Sequence, residues 1–341
     1  MYYIGLDVHK KTISYCIKES GGQIYGEGVV KALRVTLDAW VKALPQPWTA
    51  AMEATLFTGW IYDHLKPHAT TLKVAHPAML RAIAASKKKN DRVDARKIAD
   101  LLRCDLLPEC YMAPQAFRER RRTLRYRHLL VRQSVQMKNR LAGLLMETGV
   151  PYSKEKLHQK RYFTELLRES EELPENLKPL LKMGRDSVER LTRTERSLVR
   201  ALEHDSTLAV RVQRLMTIPG IGPITALTWT LEVGEVSRFP SLKQAVSYCG
   251  LCSAENSSAG IAKRSPISKQ RNQHLQTVLI EAAKLAPRWN PDLALLHEKE
   301  LQRGNRNRAT LAVARKLVAY LLAVDRREQP FQPGKESAAA A

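Results

Sequence analysis

The first 104 residues switch repeatedly between alternating and helical apolar patterns, in an order that restricts the fold. Tyr2–Val8 and Ile13–Ile17 read as strands, and Gln23–Val30 as a third, with Gly21–Gly22 as the turn before it. Apolar residues at helical spacing follow over Val35–Leu44. Thr49–Glu53 is a short apolar strand, Trp60–Leu65 sits in a helix, and Thr71–Ala75 is a fifth strand. Asp91–Leu102 is then a helix, with Asn90 standing where an N-cap belongs.

Three strands, helix, strand, helix, strand, helix is the order of an RNase-H-like domain, although other α/β folds share it. In that domain the first and fourth strands are neighbours, and here each carries a carboxylate near its end. Asp7 lies in Gly5-Leu6-Asp7-Val8-His9, and Glu53 in Ala51-Met52-Glu53-Ala54. An ionised carboxylate after an apolar strand suits a core poorly unless it is paired or holds a cation. Asp91 and Asp94, three apart on one helix, share a face. Four carboxylates can therefore converge. Their oxygens suit hard cations such as Mg²⁺, with substrate phosphates as further ligands. Two such ions about 3.5–4 Å apart would stabilise the attacking and leaving oxygens of a phosphoryl transfer. Taken singly, each acid has a plainer reading: Asp91 and Asp94 suit the positive end of their helix, Asp7 a turn, and Glu53 an ion pair. Lys87, Lys88 and Lys89, just before the acidic helix, read either as a basic approach to a phosphate site or as a solvated charge run.

Beyond residue 115 the pattern is helical. Leu130, Ser134, Met137, Leu141 and Leu144 step by four and three, and so do Leu177, Leu181, Gly184, Val188, Leu191, Glu195, Leu198 and Leu202. Such steps indicate coiled-coil packing, as an antiparallel hairpin or a dimer arm; an ordinary helical bundle explains them nearly as well, and Gly184 and Glu195 weaken the second seam. Residues 207–324 read as a compact helical region. Ile218-Pro219-Gly220-Ile221-Gly222-Pro223 suggests a hairpin between two helices, where Gly220 and Gly222 would expose N–H groups to phosphate; a tight turn without ligand fits equally. Ser241 and Gln244 make a capping box for a helix that Gly250 ends. The expected division is 1–108, 109–206, 207–325 and a loose tail over 326–341.

Charge narrows the partner. The 56 Lys+Arg against 34 Asp+Glu leave +22, a surplus that repels itself and calls for a polyanion. It is concentrated in three stretches: Arg118–Arg140, with Arg120, Arg121, Arg122 and Arg125; Glu255–Glu281, with Lys263, Arg264, Lys269 and Arg271; and residues 301–324. Three basic stretches suggest a long nucleic-acid footprint. No long apolar run supports a membrane partner. Five cysteines, an odd count without a signal peptide, argue for a reducing cytoplasm. Cys249 and Cys252 lack a second pair at zinc spacing and read as packing residues. Ser257-Ser258-Ala259-Gly260 offers a serine among small neighbours, with room for a phosphate. A serine needs an activator to attack one, and most such strings are plain turns.

Together these blocks resemble a known family. Gly5-Leu6-Asp7-Val8-His9-Lys10, Met52-Glu53-Ala54-Thr55 and Lys89-Asn90-Asp91-Arg92-Val93-Asp94-Ala95 are similar to motifs of the DEDD insertion-sequence transposases, relatives of the pilin-gene invertase described as bridge-RNA-guided recombinases. Ile218–Pro223, Phe239-Pro240-Ser241, Tyr248-Cys249-Gly250-Leu251, Ser257–Gly260 and Ile267-Ser268-Lys269 continue the likeness in order. The resemblance implies a Holliday-junction-resolvase-like domain with the metal-holding tetrad Asp7, Glu53, Asp91 and Asp94, a coiled-coil arm, and a C-terminal domain supplying a serine that forms a covalent phosphoserine. By position that serine is Ser258, with Ser257 as the alternative. It also implies double-stranded donor and target DNA, a structured noncoding guide RNA, homodimers assembling into a tetramer, and a cytoplasmic enzyme associated with the nucleoid when active. Two departures stand out: Ala259 replaces a usual glycine, and Lys269-Gln270-Arg271-Asn272 lacks one. A water-using junction nuclease would need the carboxylates but not Ser258; a binding protein without catalysis would need neither.

Overall fold

The computed structural model describes residues 1–83, 90–170, 173–258, 261–267 and 270–333, with the backbone alone for 82, 254–258 and 261–266. Lys87, Lys88, Lys89, Ala259 and Lys269 thus lie outside the described residues, as do the side chains of Ser257, Ser258, Lys263 and Arg264. The chain divides into two compact units, Met1–Gln115 and Ala116–Ala341.

In the first unit the expected elements form, in the expected order, with one further helix, α3, that the sequence reading did not include: β1 (Tyr2–Val8), β2 (Thr12–Lys18), β3 (Ile24–Lys31), α1 (Arg34–Lys42), β4 (Trp48–Glu53), α2 (Thr58–Leu65), β5 (Thr71–Ala75), α3 (Pro77–Ile83) and α4 (Asp91–Arg103). The sheet runs β3-β2-β1-β4-β5. β1 is antiparallel to β2 and parallel to β4, which is in turn parallel to β5. Ile4, Leu6, Leu37, Trp48, Met52, Ile61 and Leu65 fill the core on one face, each fully buried. The opposite face takes α4 and is built small: Cys16, Ala95 and Ala99 pack together, with Ala51, Ile98 and Leu102 beside them.

Gly5 makes that close packing possible. A Cβ there would lie 2.0 Å from the carbonyl oxygen of Ala95 and 2.4 Å from the nitrogen of Ala99, both backbone atoms of α4. Ion pairs fasten the helix laterally. Glu27 on β3 accepts two hydrogen bonds from Arg96, each 2.7 Å, and also pairs with Arg92. Lys18 on β2 donates to both oxygens of Asp100 at 2.6 and 2.7 Å.

The second unit contains α5 (Gln115–Glu147), which begins at the boundary residue, then α6 (Lys160–Glu169), α7 (Leu177–Glu203), α8 (Ser206–Met216), α9 (Pro223–Val233), α10 (Leu242–Tyr248), β6 (Ser253–Ser258), β7 (Ile261–Ile267), α11 (Gln273–Leu285), α12 (Pro291–Gln302) and α13 (Arg306–Arg327). α5 and α7 run antiparallel: Arg127 pairs with Glu195 at 2.6 Å, while Gly184 faces Leu141 and Met137 further along. Both residues expected to weaken the second seam thus sit at contacts between these two helices. A Cβ on Gly184 would stand 2.6 Å from Leu141 Cδ2, so the missing side chain lets the leucine in. The distal end of this hairpin has its own core, where α6 contributes Phe163 and Leu167. Leu124 of α5 and Leu202 of α7 instead join the large core around Trp229, Leu279 and Tyr320.

One expectation is corrected in this unit. The region over 207–324 is not wholly helical, because β6 and β7 pair as an antiparallel hairpin with Ser258 opposite Ile261. Three of the four arginines singled out on α5 also make contacts within the fold. Arg120 donates to both oxygens of Asp205, at 2.5 and 3.2 Å. Arg121 donates to the Leu231 carbonyl at 2.8 Å, and Arg125 makes a two-pronged pair with Glu232. Acids in α9 and before α8 recruit them, a pairing invisible in the local count of charges. Arg122 is exposed.

Other local expectations hold. Ser241 Oγ accepts from the Gln244 N–H, and Gly250 stops α10 at φ 69°. Ile218–Pro223 joins α8 to α9, with Gly222 as the N-cap residue and Pro223 at the first helical position. Gly220, at φ 92°, presses on Ala286, whereas the space beside Gly222 is open. Cys249 is buried and Cys252 half-buried, both free thiols, in keeping with packing. Among the described residues no helix is long and apolar enough to cross a membrane.

Candidate active site

The carboxylates are placed by strand ends and by one helix N-terminus. Leu6 pairs with Met52 across the parallel β1–β4 ladder, so Asp7 and Glu53 are the next residues on adjacent strands and face the same side. That side is the one Gly5 and Ala51 open to α4. The chain beyond Glu53 is held by Thr58, whose hydroxyl donates to the Glu53 carbonyl at 2.9 Å and accepts from the Thr55 N–H at 2.8 Å. Asn90 caps α4 by accepting from the Val93 N–H at 2.8 Å, which places Asp91 and Asp94 in the first turn.

The structure brings Asp7 and Asp91 to a shared point, and it adds His9. The imidazole Nε2 lies 3.2 Å from Asp7 Oδ2 and 3.3 Å from Asp91 Oδ2. Donor atoms of these three residues all fall within 4.8 Å of one another, alone in this among the described residues. Asp94, on the same helix turn, pairs with Lys97 at 3.3 Å and is outside that cluster, as is Glu53. His9 was in plain view two residues beyond Asp7, but strand alternation gives no reason to single it out; the turn from β1 into β2 brings it back.

Asp7 is more enclosed than either helix acid, its side chain 14% exposed against 58% for Asp91 and 28% for Asp94. Burial pushes its carboxyl above the usual carboxylate range; His9 pulls it down by charge and hydrogen bond, and Asp91 and Asp94 push it up again. Negative charge is thus gathered where it is poorly solvated. A divalent cation relieves that cost, and hard carboxylate oxygens with one imidazole are a donor set that fits it.

Comparison with known proteins decides the family. Residues 4–150 match the DEDD transposase domain model of the IS110 group, described as "Transposase", and residues 212–298 match the "Transposase IS116/IS110/IS902 family". The chain carries the DEDD transposase domains of the IS110/IS116 family. It is similar to the transposase for insertion sequence element IS1111A of Coxiella burnetii, 27% identical over 97% of this chain and 91% of the relative. It is also similar to the transposase for IS1328 of Yersinia enterocolitica, 26% identical over 83% of each. A pilin gene-inverting protein of Moraxella bovis is 30% identical over 36% of this chain and 38% of its own length. The protein is therefore a DNA-cleaving and rejoining enzyme of transposition, acting on DNA with a divalent metal, and all four candidate carboxylates lie within the first matched region.

Proposed function

We propose that this transposase cuts and rejoins the DNA of an insertion sequence with two sets of residues. Asp7, Glu53, Asp91 and Asp94, in an RNase-H-like domain, hold Mg²⁺, and Ser258 attacks the phosphodiester. The observation that carries the reading is the meeting of Asp7 and Asp91 beside the β1–β4 strand ends, where burial makes a bare carboxylate costly. A bound cation supplies charge neutralisation for the scissile phosphate. The protein's own part is to orient these oxygens: Gly5 sets the depth of α4, Asn90 its first turn, and Thr58 the chain after Glu53.

In the proposed exchange the Ser258 oxygen bonds to phosphorus and gives up its proton. The bond to the deoxyribose oxygen breaks, and that oxygen takes a proton as it leaves. The phosphoserine preserves the energy of the phosphodiester, so a second DNA end can reverse the step and be joined without an external energy source. Ser257 is the neighbouring alternative. A structured noncoding RNA would select donor and target by base pairing, and the α5–α7 hairpin would serve as a coiled-coil arm pairing copies within a tetramer, in the cytoplasm at the nucleoid.

The test is a denaturing gel for a protein–DNA adduct, with full-length protein, Mg²⁺, the element's flanking RNA, and labelled donor and target duplexes. An adduct formed by the wild type and lost in Ser258→Ala and in Asp7→Ala is the expected result. An adduct that survives Ser258→Ala moves the nucleophile to Ser257. Cleavage with no adduct overturns the serine step in favour of hydrolysis by water.

A further inference from the structure

Glu232 is a carboxylate which that chemistry does not use. It lies in α9, where every residue from Thr225 to Val233 is buried, and it is 1% exposed. Arg125 donates to its two oxygens from Nε and Nη2, both at 2.8 Å, and Asn272 Nδ2 donates to Oε2, also at 2.8 Å. Burial raises its pKa, but the hydrogen bonds and charge of Arg125, the bond from Asn272 and the charge of Arg121 outweigh this and hold it ionised, below the usual range.

Such a buried ion pair is a weak source of stability, since well-packed apolar residues of equal volume commonly do as well. What apolar residues cannot supply is direction. Asn272 uses every side-chain atom: Nδ2 reaches Glu232, while Oδ1 accepts from the N–H groups of His274 and Leu275 and so starts α11. Its own N–H donates to the Tyr248 carbonyl at 3.0 Å, and the Tyr248 hydroxyl donates to the Glu232 carbonyl at 2.9 Å. This is the exit of the β6–β7 hairpin. The entry is fixed too, with Gln276 Nε2 donating to the Gly250 carbonyl at 2.5 Å and Arg315 to the Leu251 carbonyl at 2.8 Å. Between these anchors, among the described residues, β6 and β7 pair only with each other. A lone two-stranded hairpin is marginal in water, so its direction is set by what holds its ends.

We propose that Glu232, acting through Asn272, is a positioning residue that aims the strand carrying Ser257 and Ser258. This rests on the reading of that strand as the source of the nucleophile. The experiment compares full-length wild type with Glu232→Gln, with Asn272→Ser, which keeps a capping oxygen but loses the donor, and with the double variant Arg125→Leu/Glu232→Leu, which removes both charges. Three readouts are taken: adduct formation rate at saturating DNA, DNA affinity, and hydrogen exchange of the amides in 253–267 against those of α13.

Expected are a drop in adduct rate of about a hundredfold, the scale of an ångström-level misplacement, unchanged DNA affinity, and faster exchange confined to 253–267. The double variant should melt near the wild type and still lose rate. Wild-type adduct rate in Asn272→Ser and in the double variant overturns the proposal, as does exchange that rises equally in α13. If instead the wild type makes no adduct, the serine reading fails, while exchange in 253–267 still decides whether Glu232 anchors the hairpin.

Discussion

Gly5→Ala tests whether strand β1 and helix α4 must touch backbone to backbone for the site to exist. The added Cβ would stand 2.0 Å from Ala95 O and 2.4 Å from Ala99 N, about 1.0–1.4 Å short of ordinary contact. Neither atom can rotate away, because both belong to the helix backbone. The helix must move out by roughly that distance, and it is also tied through Glu27–Arg96 and Lys18–Asp100. Overpacking of this kind costs about 1–3 kcal/mol. The larger effect falls on chemistry, since α4 carries Asp91 and Asp94 and a shift near 1 Å lowers rates by about a hundredfold. Gly26→Ala is the control, for nothing lies within 4 Å of its Cβ position. Thermal melting and metal-dependent DNA cleavage would be measured on both variants. Gly5→Ala that melts and cleaves like Gly26→Ala would refute the argument that this contact sets the carboxylate geometry.

Asp7→Asn should melt higher than wild type at neutral pH while losing cleavage, because it removes a charge that burial disfavours. The sign follows from linkage: with the folded pKa raised, wild-type stability grows as pH falls through that value toward 3.8, and the asparagine variant should lack this rise. Added Mg²⁺ or Mn²⁺ should raise the wild-type midpoint and leave Asp7→Asn unmoved; equal shifts in both would place the cation elsewhere. His128, against the His274 ring, is held down to about 4 by burial, then by His274 and Arg127. Its contribution is full above pH 6.5 and lost as pH falls from there to about 4, so His128→Phe should flatten melting midpoints across that window. Gly184→Ala should cost about 1–3 kcal/mol by crowding Leu141, read as a lower urea midpoint with unchanged slope.

The first unit was legible because its inner strands carry buried apolar residues and because Gly21–Gly22 and the Asn90 cap mark two of its turns. Alternation placed β1 to β5 within a residue or two, and Asn90 announced α4. The placing of Asp7 beside Glu53 followed from strand adjacency, which connection order implies, whereas the meeting of Asp7 with Asp91 depends on α4 packing against the face that Gly5 opens. Nor was His9 legible, since its approach depends on how the chain leaves β1. The hairpin of β6 and β7 escaped because Ser253–Ile267 is polar and small, and strand periodicity needs an apolar face to be seen.

Charge was the least legible property, because the partners of a basic run can be distant in sequence. A run of arginines on one helix reads as a footprint for phosphate only if no acid elsewhere claims them. Asp205 and Glu232 claim Arg120 and Arg125 from more than eighty residues away, and Asp325 claims Arg211 in the same manner at 2.6 and 2.8 Å while accepting from the Trp229 indole at 2.8 Å. These pairs cancel formally, so the surplus of +22 must reside on the remaining cations. It follows that Arg122→Ala should weaken DNA binding and lower its salt dependence, while Arg125→Ala should leave the salt slope unchanged and act on folding and on Glu232. Equal salt slopes for Arg122→Ala and wild type, with a reduced slope for Arg125→Ala, would reverse this allocation.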